Sequence, residues 1–187
     1  MTTGTPFRIL TVCTGNICRS PMAERLLQAG LDDRHPGQFV VESAGTAALI
    51  GSPIDPRIAG LVRMLGGTTD NFSARHLTPE NLRNVDLALA LTRDHRRHIV
   101  EMAPTMLKRT FTLREFARIF QQLTLDEVLP PADRWRAALP LALRARSSQA
   151  APGLDDVVDP YRRSDEVYQE MTTQMVPALR AIGLPIT

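Results

Sequence analysis

The chain is short of cysteine, of net charge and of long apolar runs, and each shortage excludes something. It has 187 residues and only two cysteines, Cys13 and Cys18, both in one short stretch. A secreted disulfide framework needs more cysteines at separated positions, so a reducing, cytoplasmic location is expected instead. The formal net charge is +2, and the basic residues are scattered rather than striped. No nucleic-acid partner is expected from such a distribution. No apolar stretch approaches the roughly 20 residues that span a bilayer, so no membrane insertion is expected. Met1 to Pro6 lack the basic and apolar regions of a signal peptide. What is present is 43% hydrophobic and 22% charged residues. That is enough to bury a core, and the length fits a single domain over 1–187.

Strand and helix patterns alternate. Strands are expected at Phe7–Val12, Phe39–Ser43, Leu87–Leu91 and Lys108–Phe111. The run at Leu87–Leu91 is continuously apolar, as in a strand covered on both faces. Helices are expected at Pro21–Ala29 (ending at Gly30), Pro56–Leu65 (ending at Gly66-Gly67), Asp94–Met102, Leu113–Gln121 and Asp165–Ile182, with a short one opened by Thr78-Pro79-Glu80. In the last of these, Val167, Met171, Met175, Leu179 and Ile182 fall at helical spacing, and Pro177 predicts a kink. The fold class is α/β: a single domain with a central parallel sheet of about four strands and helices on both faces.

The chemistry concentrates in Cys13-Thr14-Gly15-Asn16-Ile17-Cys18-Arg19-Ser20, between the first strand and Pro21. A turn there points its backbone N–H groups inward and makes an anion nest. Cys13 is useful as a thiolate, which a helix N-terminus and a nearby arginine both favour. Arg19 offers a planar fork that matches two phosphate oxygens. Gly15 is expected to take positive φ and let the loop close. Asn16 tolerates a left-handed conformation and can bond across the turn. Ser20 is expected to cap the following helix, with its hydroxyl near the thiolate. Thr14, Gly15, Asn16, Ile17, Cys18 and Ser20 together form the expected phosphate-binding loop.

The stretch from Val12 to Glu24 resembles the signature of the low-molecular-weight protein tyrosine phosphatases. Three later segments resemble that family in the same order: Val41 to Thr46, Ser73 to Thr78, and Val158 to Tyr161 followed by Ser164 to Tyr168. The resemblance covers roughly residues 6–116 and 153–183. It implies a cysteinyl-phosphate mechanism with no cofactor or metal, a phosphotyrosine protein as substrate, and an acid supplied by an Asp-Pro pair. Asp159-Pro160 matches that pair, and the proline stiffens the carboxyl's aim. Asp155 and Asp156 are rivals without a proline. Tyr161 and Ser43 are the expected substrate wall and loop support. Cys18 is placed by the resemblance beside Cys13, as either a redox partner or a small buried hydrophobe.

The chain also departs from the family. Residues 117–152 form an atypical insertion, with Pro130-Pro131, Trp135, Pro140 and the loop-like Ser147-Ser148-Gln149. A solvated surface insertion is expected there, with Ala132–Arg146 as a proline-broken helix. Positions 47–50 read Ala-Ala-Leu-Ile where family members often place an aromatic wall, and Arg162-Arg163 follow Tyr161. Phe72 stands where a histidine often supports the loop's Asn–Ser network, so that support is missing or rebuilt. His95 and His98, three apart beside Arg96 and Arg97, are expected on a solvent-exposed helix face rather than at a metal.

Three functions compete at this point. One is a protein-tyrosine phosphatase. Another is an arsenate reductase on a similar loop, completed by an external thiol because no relay cysteines follow. The third is a silent phosphate-binding module.

Overall fold

The structure, a computed structural model, describes residues 4–148 and 150–183. Gln149 of the expected loop and Met1–Thr3 of the N-terminal segment lie outside the described residues. Four parallel strands form one sheet in the order β2-β1-β3-β4. They are β1 (Phe7–Cys13), β2 (Phe39–Gly45), β3 (Leu87–Ala90) and β4 (Thr110–Thr112). Among the described residues there are seven α-helices, in chain order α1 (Arg19–Arg34), α2 (Pro56–Met64), α3 (Pro79–Leu82), α4 (Arg93–Met102), α5 (Leu113–Phe120), α6 (Pro131–Ala145) and α7 (Asp165–Ile182).

Strand alternation divides the core into two layers. Phe7, Ile9, Leu87 and Leu89 face a large cluster with Leu26, Phe116, Met171 and Leu179. Leu10, Val12, Ala88 and Ala90 face a smaller one with Leu77, Ile99 and Met106. Every residue of β3 is buried, because helices cover both faces. The chain leaves β1 on one side and β3 on the other. Their carboxyl ends therefore open a crevice where such sheets bind ligands.

Several boundaries differ from expectation. Helix α1 starts at Arg19 and runs through Gly30 to Arg34, because Gly30 and Leu31 are themselves buried. Strand β4 starts at Thr110, two residues late; Lys108 and Arg109 end a 3-10 turn over Pro104–Arg109. Helix α3 has the expected start, with Thr78 and Asn81 closing a reciprocal cap. Pro177 lies inside α7.

The insertion is solvated only in part: residues 121–130 are mostly exposed, but the helix that follows is packed into the core. Helix α6 buries Ala132, Trp135, Ala138 and Ala142. The Trp135 ring lies 5.5 Å from Phe7, 5.2 Å from Phe39, 5.9 Å from Phe116 and 4.8 Å from Phe120, centroid to centroid. Phe7 and Phe39 begin their strands, so this cluster closes the sheet at the end opposite the crevice. The arginines that suggest a solvated face are tied down as well. Arg146 sits 4.0 Å over the Phe111 ring and 2.9 Å from Glu115, and Arg136 donates to the Thr5 and Pro6 carbonyls.

Candidate active site

Strand β1 ends at Cys13, and the loop to α1 is shaped by its own carbonyls. Those of Cys13, Thr14, Gly15 and Ile17 accept from the N–H groups of Thr46, Ala47, Leu49 and Asp55, at 2.9–3.0 Å. The segment after β2 thus holds the outer side of the loop. No hydrogen bond within the described chain takes up the N–H groups of residues 14–18, so the turn is a nest of unspent donors. Such a nest binds anions.

Two backbone positions make the turn possible. Asn16 has φ 53°, in the left-handed region that asparagine tolerates. Gly15 is not at positive φ, contrary to expectation, and a Cβ there would meet only Ile17 Cγ1 at 3.6 Å. The glycine that the loop requires is Gly45. A Cβ on it would lie 2.4 Å from the Thr14 carbonyl oxygen and 3.0 Å from Asn16 N.

Beneath the loop lies a buried polar network. Asn16 Oδ1 accepts from the Arg75 N–H at 2.8 Å, which fixes the amide's orientation. Its Nδ2 then donates to Ser20 Oγ at 2.9 Å and to Ser43 Oγ at 2.8 Å. The Ser43 hydroxyl donates in turn to Glu24 Oε2 at 2.5 Å. Ser20 Oγ lies 2.9 Å from Cys13 Sγ and 3.4 Å from the Ala44 carbonyl. Having accepted from Asn16, the Ser20 hydroxyl has its proton free for the closer sulfur. It does not cap α1, whose first-turn cap position is Cys18 with no side-chain bond. Burial pushes the Glu24 carboxyl up, against the Ser43 bond that pulls it down. The support expected to be missing or rebuilt at Phe72 is rebuilt by Glu24 and Arg75, and Phe72 stacks beneath Arg25 at 5.4 Å.

Arg19 is 4% exposed. Its Nη1 donates to the Val157 carbonyl at 3.0 Å and its Nη2 lies 2.7 Å from Asp159 Oδ2. Its Nε is buried and makes no hydrogen bond within the described chain. The structure thus brings Asp159 from 140 positions downstream to the loop. The other oxygen of Asp159 accepts the Tyr161 N–H at 3.1 Å. The two rival carboxylates are occupied elsewhere. Asp155 pairs with Arg118 at 2.8 Å, and Asp156 accepts the Arg93 N–H at 2.7 Å and pairs with its guanidinium. Burial raises the Asp156 carboxyl, but the Arg93 bonds outweigh it and hold it below its ordinary range.

A cleft of about 120 Å³ opens over Cys13, walled by Ile17, Ala47, Leu49 and Tyr161. Tyr161 is the ring in that wall and is 37% exposed; Arg162 lies 5.0 Å over its face. Cys18 is buried beside the cleft, and burial, then Asp55 and Cys13, push its thiol up to about 12.

His95 was expected on an exposed helix face, and it is buried at the site. Its Nε2 lies 2.9 Å from Thr14 Oγ1 and its Nδ1 2.9 Å from Thr92 Oγ1. Burial, with Arg19 as the next cause, lowers its pKa to about 4, so the ring is neutral at neutral pH. Among the described residues no cluster of three His, Cys, Asp or Glu could hold a metal ion. The sequence signal for His95 was its place directly after β3, at the carboxyl edge where the sheet order reverses. Glu24, Gly45 and Arg75 lie within or beside quoted segments, but only the tertiary contacts give them roles.

Comparison with known proteins agrees with this geometry. A family model described as low molecular weight phosphotyrosine protein phosphatase matches residues 8–138. The chain is 42% identical over 98 residues to the low molecular weight protein-tyrosine-phosphatase Wzb of Escherichia coli K12, covering 52% of this chain and 63% of that protein. It is 44% identical over 115 residues to the low molecular weight protein-tyrosine phosphatase A of Mycobacterium bovis, covering 58% and 69%. The matched stretch thus spans somewhat under two thirds of the Escherichia coli protein. The fold superposes on Wzb of Vibrio vulnificus, solved with benzylphosphonate, with a TM-score of 0.65, 27% identity and coverage of 95% and 97%. With the family model covering most of the chain, and with the loop, the buried network and the Arg19–Asp159 pair in place, this chain belongs to the low molecular weight phosphotyrosine protein phosphatase family.

Proposed function

We propose that the chain is a phosphomonoesterase that hydrolyses phosphotyrosine in protein substrates through a cysteinyl-phosphate intermediate. The observation that carries this is Cys13 at the start of a loop whose N–H groups are unspent within the described chain, with Arg19 joining that loop to Asp159. In the first step the Cys13 thiolate attacks phosphorus, the P–O bond to tyrosine breaks, and Asp159 gives its proton to the departing phenolate oxygen. In the second step Asp159 takes a proton from water, which attacks phosphorus and releases Cys13. Arg19 and the loop N–H groups hold the equatorial oxygens throughout. Ser20 stabilises the sulfur anion through the contact described above.

Substrate preference rests on the cleft. Cys13 at its floor is only 2% exposed, which favours a long stem, and Tyr161 with Ile17 and Leu49 offers apolar contact to an aryl ring. The neighbour with benzylphosphonate, an aryl-type phosphonate, supports this reading. A cytoplasmic setting is part of the proposal. It is supported by two free cysteines, and no helix among the described residues is long and apolar enough to cross a membrane. Arsenate reduction has less support, since it needs a thiol from outside the chain.

The experiment is a direct comparison: turnover of p-nitrophenyl phosphate and phosphotyrosyl peptide against thiol-dependent arsenate reduction. Phosphatase turnover that disappears in Cys13→Ser, with circular dichroism unchanged, is expected. Near-normal turnover in Cys13→Ser, or arsenate as the better substrate, ends the reading.

A further inference from the structure

The two contacts of His95 pose one question of proton placement, and the anion site beside Thr14 bears on it. Thr92 is the N-cap of α4, and its Oγ1 accepts the His95 backbone N–H at 3.2 Å. The same oxygen lies 2.9 Å from His95 Nδ1. Thr92 has a single hydroxyl proton. If Nδ1 carried the imidazole proton, Thr92 would accept twice and its own proton would have no acceptor among the described residues. If Thr92 donates to Nδ1, the ring proton sits on Nε2 and the hydroxyl proton left over is that of Thr14 instead; Thr14 but not Thr92 lines the cleft over Cys13, so an anion in the loop gives only this leftover proton an acceptor. That Nε2–H then donates to Thr14 Oγ1 at 2.9 Å.

The consequence falls on Thr14. With its oxygen engaged as an acceptor, its hydroxyl proton has no acceptor within the described chain. Thr14 lines the cleft over Cys13. It also lines a second, polar cleft of about 440 Å³, shared with Arg19, His95 and Asp159. Its side chain therefore stands on the partition between the two. The opposite tautomer would reverse this, because Thr14 would spend its proton on Nε2.

We propose that His95 is a positioning residue, which by donating from Nε2 to Thr14 aims the threonine hydroxyl proton at a phosphoryl oxygen in the loop. The proposal rests on the phosphomonoesterase reading for the identity of the anion. It adds one side-chain donor to the backbone N–H groups and Arg19. It requires a neutral ring, which burial and then Arg19 maintain against the opposing pull of Asp159, Asp94 and Asp156.

Two measurements test it. In ¹⁵N-labelled wild type at pH 7, two-bond nitrogen–proton couplings of the His95 ring should report the Nε2–H tautomer; Nδ1–H overturns the proposal even if no variant folds. In kinetics, Thr14→Val and His95→Leu should each raise KM for a phosphotyrosyl peptide and Ki for inorganic phosphate about tenfold, with kcat changed far less. His95→Gln, whose amide can still donate, should recover part of that loss. In the Thr14→Val background His95→Leu should add nothing further. Additive losses, or an unchanged phosphate Ki, assign His95 to folding alone and overturn the role. Wild type that binds phosphate but fails to turn over phosphotyrosine overturns the parent reading instead, and leaves the anion-binding role standing.

Discussion

The thiol loop and the acid loop meet at one ion pair and are built on opposite principles. Asn16, Ser20 and Thr11 under the thiol loop have no exposure at all, and Ser43 has 1%. Every polar atom in that network has a fixed direction. Asp159 is 49% exposed in its side chain and Tyr161 37%. The acid loop is held by separate anchors: Val157 N–H to the Leu91 carbonyl at 2.9 Å, Val158 N–H to Gln174 at 2.8 Å, and the Asp155 and Asp156 pairs. In the proposed mechanism the nucleophile needs a fixed field, whereas the acid must meet leaving groups of varied shape. Rigidity is spent where charge is stabilised, and access is kept where substrate enters.

The largest effect should come from the exposed side. Asp159→Asn should slow phosphotyrosine turnover by about 10²–10⁴. The loss should shrink for p-nitrophenyl phosphate, whose leaving group departs without a proton. Its fold should be unaffected, since the carboxylate is half in solvent. If kcat falls equally for leaving groups of different pKa, Asp159 is an anchor like its neighbours, and the contrast between the loops disappears.

On the rigid side, Gly45→Ala is the sharpest probe. The new Cβ would lie 2.4 Å from a backbone oxygen, which no rotamer change relieves. The loop must move, and a shift near 1 Å costs about 10²-fold in turnover. Stability should fall by about 1–3 kcal/mol, as in other overpacked sites. Gly15→Ala should be milder in stability, having only one ordinary contact at 3.6 Å. Equal thermal shifts in the two variants would show that the second strand does not brace the loop.

These two glycines also show what the sequence could reveal. The nearness of Cys13 and Arg19 was legible from their spacing in one turn, whereas Asp159 was singled out by the family resemblance and its Pro160; the structure pairs it with Arg19, and the catalytic roles of the three belong to the proposal. The alternating strands and helices, the sheet and the last helix were legible from periodicity. Gly15 was given Gly45's task because the requirement is a close approach between strands, which spacing along the chain does not encode. His95 was read from the polar neighbours on its own helix, while its burial comes from Thr14 across the crevice. Trp135 stands out in the insertion, but the cluster it joins gathers Phe7, Phe39, Phe116 and Phe120 from three other elements.

A pH experiment separates the loops thermodynamically. His95 has an ordinary pKa of 6.5 and about 4 in the fold. Between those values the unfolded chain holds the extra proton, so stability is complete above about 6.5 and declines as pH falls toward 4. The contribution is on the order of 3 kcal/mol across that window. Glu24, pushed up by burial, works in the opposite direction, so the difference between wild type and His95→Gln isolates the imidazole. His95→Gln should flatten the acid limb of urea midpoints between pH 6.5 and 4. An unchanged slope would mean that the ring is not buried as neutral.

The smallest effect concerns Cys18, which lies in the rigid loop but has no part in the proposed chemistry. Its replacement by serine should leave turnover nearly unchanged, as expected for a side chain packed under the loop. The difference should emerge after oxidation. A peroxide-treated Cys13 forms a sulfenic acid, which a neighbouring thiol can condense with to give a disulfide and water. Dithiothreitol then reverses that disulfide, whereas further oxidation is irreversible. The attacking form is the Cys18 thiolate, and burial together with Asp55 and Cys13 pushes that thiol up to about 12. Trapping should therefore be slow near pH 7 and faster near pH 9. Activity recovered by dithiothreitol should rise with the pH of the peroxide step in wild type and stay low in Cys18→Ser. If the two proteins recover alike at both pH values, and mass spectrometry finds no Cys13–Cys18 bridge, Cys18 belongs wholly to the packing of the rigid loop.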